Sequence, residues 1–290
     1  MARMPTLRPP LTVPELRERI EALARISNEE WLAGLSERKK RELEFHDRDR
    51  DRKAQASISQ DDFEKYYSNK KYYSTVRQSV NYTDAWIARH VPGKVFLDFA
   101  CGNGMQAIKA ASLGAALAVG FDISPVSVAN AAADAQAAGV SNAIFFQADA
   151  ENTKLPDGSV DVILCSGMLH HLDLSYAMPE LRRILAPGGR ILAVEALDYN
   201  PFIKLYRMLT PAMRTDWEKT HILGLDDVAF ARRFFDLGEL RFWHITSYAA
   251  AFAPRLLGLL DALDSLLARV PLVQRMAWIF TFELLAREDR

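Results

Sequence analysis

Three carboxylates recur at matching places in the central third of the sequence. Asp98 closes the apolar run in "VFLDFACGNG", Asp122 closes "ALAVGFD", and Asp149 follows "AIFFQ". Gly102 and Gly104 come directly after the first run. They strip side chains from that turn, so that backbone can approach a ligand closely. "GNGMQA" fits the G-x-G-x-x-A pattern of dinucleotide sites, a match that is common by chance. Asp98 argues against a pyrophosphate. A carboxylate there would repel an anion at the next helix N-terminus and suits a cationic group such as an amino-acid ammonium. Asp122, about 20 residues beyond the glycines, suits both hydroxyls of a ribose. Asp149, with the Ala150 N–H beside it, suits an exocyclic adenine amine. One acid at a strand end is ordinary, but three in successive units are hard to explain as surface decoration.

Further chemistry lies in "CSGMLHHLD" and "RILAVEA". His170 and His171 are candidates for a general base, because imidazole titrates near neutral pH. The plainer alternative has one of them capping or packing while the other touches ligand. Adjacent histidines on regular backbone point apart, which makes a metal set of His170, His171 and Asp173 poor, and no metal is expected. Glu195 has two open roles: orienting a substrate hydroxyl or amine, or pairing with an arginine. Cys101, inside the glycine turn, reads as a small packing residue.

The elements that must position these groups alternate. "KVFLDFA", "ALAVGFD", "AIFFQAD", "VDVILCSG" and "RILAVEA" are strands, and helical stretches lie between them. Ser124 caps the helix that follows the second strand, Pro125 suits its first turn and Gly139 ends it. The strands are almost wholly apolar, so both sheet faces are covered. Strand–helix alternation predicts an α/β fold with a doubly wound parallel sheet. "LRFWHIT" and "MAWIFTFELLAR" supply a sixth and a seventh strand.

Four segments are expected. Residues 1–90 form a helical N-terminal segment that offers a lid, and 91–197 form the ligand-binding core. Residues 198–236 make a cap insertion over the strand ends, and 237–290 complete the sheet with strands and an amphipathic helix. "VPELRERIEALARI" places Leu16, Ile20, Leu23 and Ile26 on one helical face. "SERKKRELEFHDRDRDRK" reads as a solvated helix face or a loose linker. The stripe of Leu256, Leu260, Leu263 and Leu267 reads as core packing, with a docking surface as the alternative. Asp261 and Asp264 on its polar face speak against a lipid-binding helix.

Composition bounds the function. Lys plus Arg total 36 against 37 Asp plus Glu, and no basic stripe appears, so nucleic acid is not an expected partner. The two cysteines, Cys101 and Cys165, suggest neither a disulfide framework nor a zinc motif. No run reaches the roughly 20 apolar residues of a membrane span. A cytoplasmic protein is expected, with its oligomeric state open.

The stretch from about residue 93 to 197 resembles the class I S-adenosylmethionine-dependent methyltransferases, in the branch similar to ubiquinone/menaquinone-type and other small-molecule enzymes. Its carriers are "LDFACGNG", "GFDIS", "QADAENTKLPDGSVDVILCSGMLHHL" and "LRRILAPGGRILAVEA". The resemblance implies a Rossmann-like seven-stranded sheet with the last strand antiparallel, and S-adenosylmethionine as cofactor. It implies that Asp98, Ala100, Gly102 and Gly104 hold the methionine part. Asp122 and Ile123 would hold the ribose, Asp149 and Ala150 the adenine, and Ser166 would line the same pocket. Ala100 departs from the pattern, since many relatives have glycine there. The family often lays a tyrosine-bearing N-terminal helix over the cofactor. Tyr73, with Tyr66, Tyr67 and Tyr72, could do this, and plain helix packing is the equal alternative. His170, His171 and Glu195 are the catalytic candidates.

In the cap, Tyr199, Asn200, Arg207, Arg214 and His221 are candidate substrate contacts. The arginines suit an anionic acceptor, or pair with Asp216 or Glu218. The expected activity is methyl transfer to an O, N, S or C nucleophile of a small molecule, anionic or aromatic in character. The alternatives are an NAD(P)-dependent oxidoreductase and a non-catalytic cofactor-binding scaffold.

Overall fold

A computed structural model describes residues 11–287. One sheet of seven strands organises it: β1 (Val95–Phe99), β2 (Leu117–Asp122), β3 (Ala143–Gln147), β4 (Val160–Ser166), β5 (Leu185–Ala196), β6 (Phe235–Trp243) and β7 (Ile279–Ala286). Their order is β3-β2-β1-β4-β5-β7-β6. The first five strands run parallel, and β7 runs antiparallel to both β5 and β6. The expected Rossmann-like sheet with its last strand antiparallel is therefore the fold. Strand order reverses between β1 and β4, and in open parallel sheets that switch point opens a cleft at the carboxyl ends.

Every residue of β1 and β2 is buried. Helices α8 (Met105–Ser112), α9 (Pro125–Ala137) and α10 (Leu174–Ile184) connect the parallel strands. Before the sheet come α1 (Val13–Leu23), α2 (Asn28–Ala33), α3 (Glu37–Arg50), α4 (Arg52–Ala56), α5 (Gln60–Tyr67), α6 (Lys70–Tyr73) and α7 (Arg77–His90). After β5 come α11 (Pro201–Leu209) and α12 (Leu225–Ala231), and α13 (Leu257–Leu267) lies between β6 and β7. Leu16 and Ile20 of α1 are buried in the main core, and α1 packs against β3 at the sheet edge.

Three expectations need correction. β6 starts at Phe235 and stops at Trp243, so the cap ends before residue 236 and the strand before His244. His244 leaves the sheet with φ 64° and is buried between Ser79 Oγ, 2.8 Å from its Nε2, and Ser247 Oγ, 2.9 Å from its Nδ1. The charged run 36–53 is neither a free helix face nor a linker: it forms α3 and the start of α4, and α3 packs beside α9 at the mouth of the cleft. The expected leucine stripe of α13 is split: Asp261 and Asp264 point inward, Leu256 and Leu263 are exposed, and Leu260 and Leu267 are half-buried, Leu267 against the main core.

Candidate functional site: two cavities meeting at a histidine pair

The first cavity sits at the switch point. Ala100, Gly102, Asp122, Ile123, Asp149 and Ala150 line it from the first three strands, and Ser166, Gly167 and His171 line it from the end of β4. Asp122 accepts hydrogen bonds from the Gly102 N–H (2.8 Å) and the Ser124 N–H (2.9 Å), so its carboxylate ties the glycine turn to the second strand end. Burial raises its pKa, and those hydrogen bonds oppose the rise.

Asp98 stands behind this wall rather than in it. It accepts from the Ala107 N–H at 3.2 Å and so caps α8. Burial lifts its pKa to about 7, against those backbone hydrogen bonds. Gly104 likewise serves packing. Its φ is 73°, and a Cβ there would lie 2.6 Å from Phe145 Cε1 and 2.7 Å from Ala131 Cβ. Ala100 also takes a left-handed backbone, with φ 56°, which disfavours alanine relative to the glycine of many relatives. Burial pushes the Cys101 thiol well above its ordinary pKa, which keeps it protonated and inert.

Helix α3 closes this cavity from outside. Lys39 Nζ reaches Asp149 at 2.6 Å and Glu151 at 2.8 Å, and Arg38 pairs with Glu151. Burial alone would lower the Lys39 pKa, but these two carboxylates outweigh it and raise it. Glu42 accepts from His171 Nδ1 at 2.9 Å. The His46 ring centroid lies 4.9 Å from that of His171, and burial, helped by the neighbouring His171, holds the His46 pKa well below its ordinary value. The charged run thus supplies the cavity's outer wall. Its signal was hidden because mixed charge at helical spacing looks the same on a solvated face and on a polar lid.

The second cavity lies beyond the end of β5. Its walls are Tyr72, Tyr73, Tyr206, Trp278, Phe202 and Phe252, and His170, Arg207, Arg214 and Glu218 supply its polar groups. Its space is about 1050 Å³ up to the open mouth. The Tyr72 ring meets Tyr206 at 5.4 Å and Phe252 at 5.8 Å, both edge-on. Tyr73 was expected over the cofactor; it lines this second cavity instead. Arg214 pairs with Glu218 at 3.4 Å, and Arg207 approaches Asp198 at 3.5 Å. Both ion pairs are long. Burial, and then the neighbouring Arg214, lowers the Arg207 pKa, as expected of two cations enclosed together.

The other cap candidates do structural work. Asn200 is fully buried; it caps α11 at the Phe202 and Ile203 N–H groups and donates to the Met276 carbonyl. The Tyr199 hydroxyl accepts from the Leu225 N–H at 2.8 Å. His221 stacks on Trp217 at 3.6 Å and faces a separate surface hollow.

The histidine pair joins the cavities. A single 3-10 turn, Leu169–His171, sets their rings 4.3 Å apart, with His171 on the first cavity and His170 on the second. Glu195 fixes this turn: one carboxylate oxygen accepts the Met168 N–H (2.9 Å) and the Leu169 N–H (2.8 Å), and the other meets His170 Nδ1 at 2.7 Å. Neither role expected for Glu195, a substrate contact or an arginine pair, is the one observed. Among the described residues, two groups of side chains lie close enough together that they could hold an ion. They are Glu42, His46 and His171, and His170, His171 and Glu218, with ligand atoms within 4.8 Å of one another in each. The 3-10 turn is what brings neighbouring histidines together, against the expectation that they diverge.

Residues 97–193 match the family model described as a methyltransferase domain. The chain is 37% identical over 101 residues to 27-O-demethylrifamycin SV methyltransferase of Amycolatopsis mediterranei (strain S699), covering 34% of this chain and 37% of that one. It is 34% identical over 114 residues to the ribosomal protein L11 methyltransferase of Ralstonia pickettii (strain 12J), covering 39% and 36%. The alignments therefore span little more than a third of either relative. The fold is similar to that of magnesium protoporphyrin IX methyltransferase from Synechocystis PCC 6803 with bound SAH. The TM-score is 0.57 at 17% identity, over 86% of this chain and all of that one (100%). Family match, sheet order and strand-end acids agree: residues 97–193 are a methyltransferase domain of the class I S-adenosylmethionine-dependent type.

Proposed function

We propose that this chain transfers the methyl group of S-adenosylmethionine to a hydroxyl of a small, largely apolar acceptor that carries an anionic group. One observation carries the reading. A histidine held by a buried glutamate faces an aromatic cavity, and its neighbour faces a pocket lined by strand-end acids. That pocket suits the cofactor: Asp122 and Asp149 offer acceptors for ribose and adenine, and Gly102 adds no side chain to the turn, where Arg50 stands opposite it. Bound S-adenosylmethionine would supply a methyl group on a sulfonium, an electrophile with a neutral leaving group.

The rest is the work of this chain's residues. Holding the acceptor at reacting distance can lower the barrier by about 7–11 kcal/mol. The aromatic walls and Arg207 and Arg214 would provide that hold, the arginines by pairing with an acceptor carboxylate or phosphate. Glu195 at Nδ1 selects the tautomer with its proton on that nitrogen, which leaves Nε2 as the free lone pair. An acceptor hydroxyl gives its proton to His170 Nε2 as its oxygen takes the methyl group, and Glu195 stabilises the imidazolium formed. Helix α3 closes the cofactor side against water through Lys39 and Glu42.

A thermal-shift series with S-adenosylmethionine, its demethylated product and NAD tests the cofactor. Stabilisation by the first two is expected, and stabilisation by NAD alone would overturn the reading in favour of an oxidoreductase. Acceptors then follow, as aromatic alcohols with and without a carboxylate. Faster release of the demethylated product with the carboxylates is expected, and no release with any acceptor favours a cofactor-binding scaffold. A second reading rests on the grouping of His170, His171 and Glu218: a divalent ion there would hold the acceptor oxygen in place of a base. Both histidines have a carboxylate on Nδ1, an arrangement that also suits metal ligands. Activity that survives exhaustive chelation supports the base, and activity restored only by added metal supports the ion.

A further inference from the structure

Helix α13 buries its acids and exposes three of its six leucines. Asp264 accepts from the Thr246 N–H (2.7 Å), the Thr246 hydroxyl (2.6 Å) and the Ser247 N–H (3.1 Å), and Asp261 meets Arg77 at 2.6 Å. These bonds hold the polar side against the protein, where Asp261 and Asp264 are 5% and 2% exposed. The opposite side carries Leu259 and Leu266, 68% and 62% exposed, with Leu263 between them. A helix with six leucines among eleven residues gains most by burying them, so a face left bare in this way calls for a partner.

The bare face does not end with α13. On α11, Phe202, Leu205 and Met208 follow one another at three-residue spacing, and all are exposed. Phe252, just before α13, is exposed too. Phe202 and Phe252 both line the aromatic cavity. The exposed apolar surface therefore reaches the mouth of that cavity.

On the α13 side the outward charges have one sign. Between residues 249 and 275 the acids are Asp261 and Asp264, both turned inward, while Arg255, Arg269 and Arg275 are exposed. Arg255 and Arg269 make no ion pair among the described residues. Lys71 adds a cation 4.7 Å over the Phe252 ring. Apolar side chains flanked by unpaired cations match a bilayer interface with anionic headgroups. They do not match a second copy of this chain, because a two-fold contact would set this outwardly cationic segment against another like it.

We propose that α13, α11 and Phe252 dock this protein on an anionic lipid surface, with the mouth of the aromatic cavity against the acyl region. The docking stands apart from the methyl-transfer reading. Only its corollary, that the acceptor enters from the lipid, rests on that reading. No helix among the described residues is long and apolar enough to cross a membrane, so contact would be interfacial.

Vesicle sedimentation of the full chain tests this, with phosphatidylcholine alone and with roughly a third phosphatidylglycerol. Binding to the anionic vesicles is expected, weakened by high salt and slight on phosphatidylcholine alone. Leu259→Glu with Leu266→Glu should abolish it. Arg255→Glu with Arg269→Glu leaves the leucines in place and should weaken it by at least about fivefold for each arginine. Both variants should keep the melting temperature and the cofactor-induced shift of the parent, which shows that they fold. No sedimentation of the parent with anionic vesicles overturns the proposal, as does undiminished binding by the leucine variant. A dimer that the leucine variant breaks, without vesicle binding, overturns it in favour of self-association. Loss of the cofactor shift in the parent would count against the methyltransferase reading alone.

Discussion

The two cavities that meet at His170 and His171 are built on opposite principles. The cofactor pocket takes its inner wall from backbone: strand ends, a glycine turn and the N–H groups that hold Asp122. The aromatic cavity takes its shape from side chains, with the rings of Tyr206, Phe252 and Trp278 packed edge to face on Tyr72. A wall made of strand ends and a turn goes with the sheet, whereas a pocket made of side chains can be rebuilt without disturbing the fold. The difference explains how one domain family includes a rifamycin methyltransferase and a ribosomal-protein methyltransferase among this chain's relatives.

The division predicts that adjacent histidines fail in different ways. His170→Ala should lower turnover by about 10²–10⁴-fold and leave cofactor affinity unchanged, as read by single-turnover kinetics and calorimetry. His171→Ala should instead weaken cofactor binding, because its ring lines that pocket and ties α3 through Glu42. Equal loss of both properties in both variants would erase the distinction.

Next in size, Asp122→Ala should weaken the cofactor by about ten- to a hundredfold, the usual range for a charge-assisted hydrogen bond. Asp122→Asn keeps the shape and should lose less. Unchanged affinity in the alanine variant would move the ribose away from β2.

A smaller effect concerns pH. Asp98 has its pKa raised to about 7 by burial, so it is mostly protonated at pH 6 and mostly ionised at pH 8. The folded form therefore holds a proton that the unfolded chain has released, and the free protein loses this contribution to stability as pH rises from the ordinary carboxylate range through 7. A ligand ammonium near the turn favours the ionised form, so cofactor affinity should rise by about tenfold between those pH values. A flat calorimetric profile would confine Asp98 to capping α8.

The smallest effect is Ala100→Gly. Relief of the left-handed backbone should raise stability by at most about 1–2 kcal/mol, with the looser unfolded chain cancelling part of it, and thermal melts would read the difference. A loss of stability would mean that the Ala100 methyl group packs to more effect than its φ costs.

The legible parts of the molecule share a property. Strands β1 to β5, the acids at their ends and the glycine turn are local: apolar runs set the strands, and sheet topology sends each run's last residue to the same edge. Gly104 shows the limit even there, since its place in the motif suggested ligand approach and its surroundings, Phe145 and Ala131, show packing. The aromatic cavity was less legible. Arg207 and Arg214 were found by residue type, but Asn200, Tyr199 and His221 were equally eligible and point elsewhere. Tyr206, Phe252 and Trp278 carry no signal beyond being aromatic.

The sequence by itself determined the parallel sheet, its order of elements and the acids that face its cleft, because burial of a continuous apolar run leaves a strand one place to go. Tertiary structure alone decided which face of an amphipathic helix turns inward. A charged helix such as α3 can face water or a polar pocket, and α13 can bury leucines or hydrogen-bonded aspartates. Helical spacing is identical in both cases, and only partners remote in sequence, Asp149 for Lys39 and Thr246 for Asp264, break the tie.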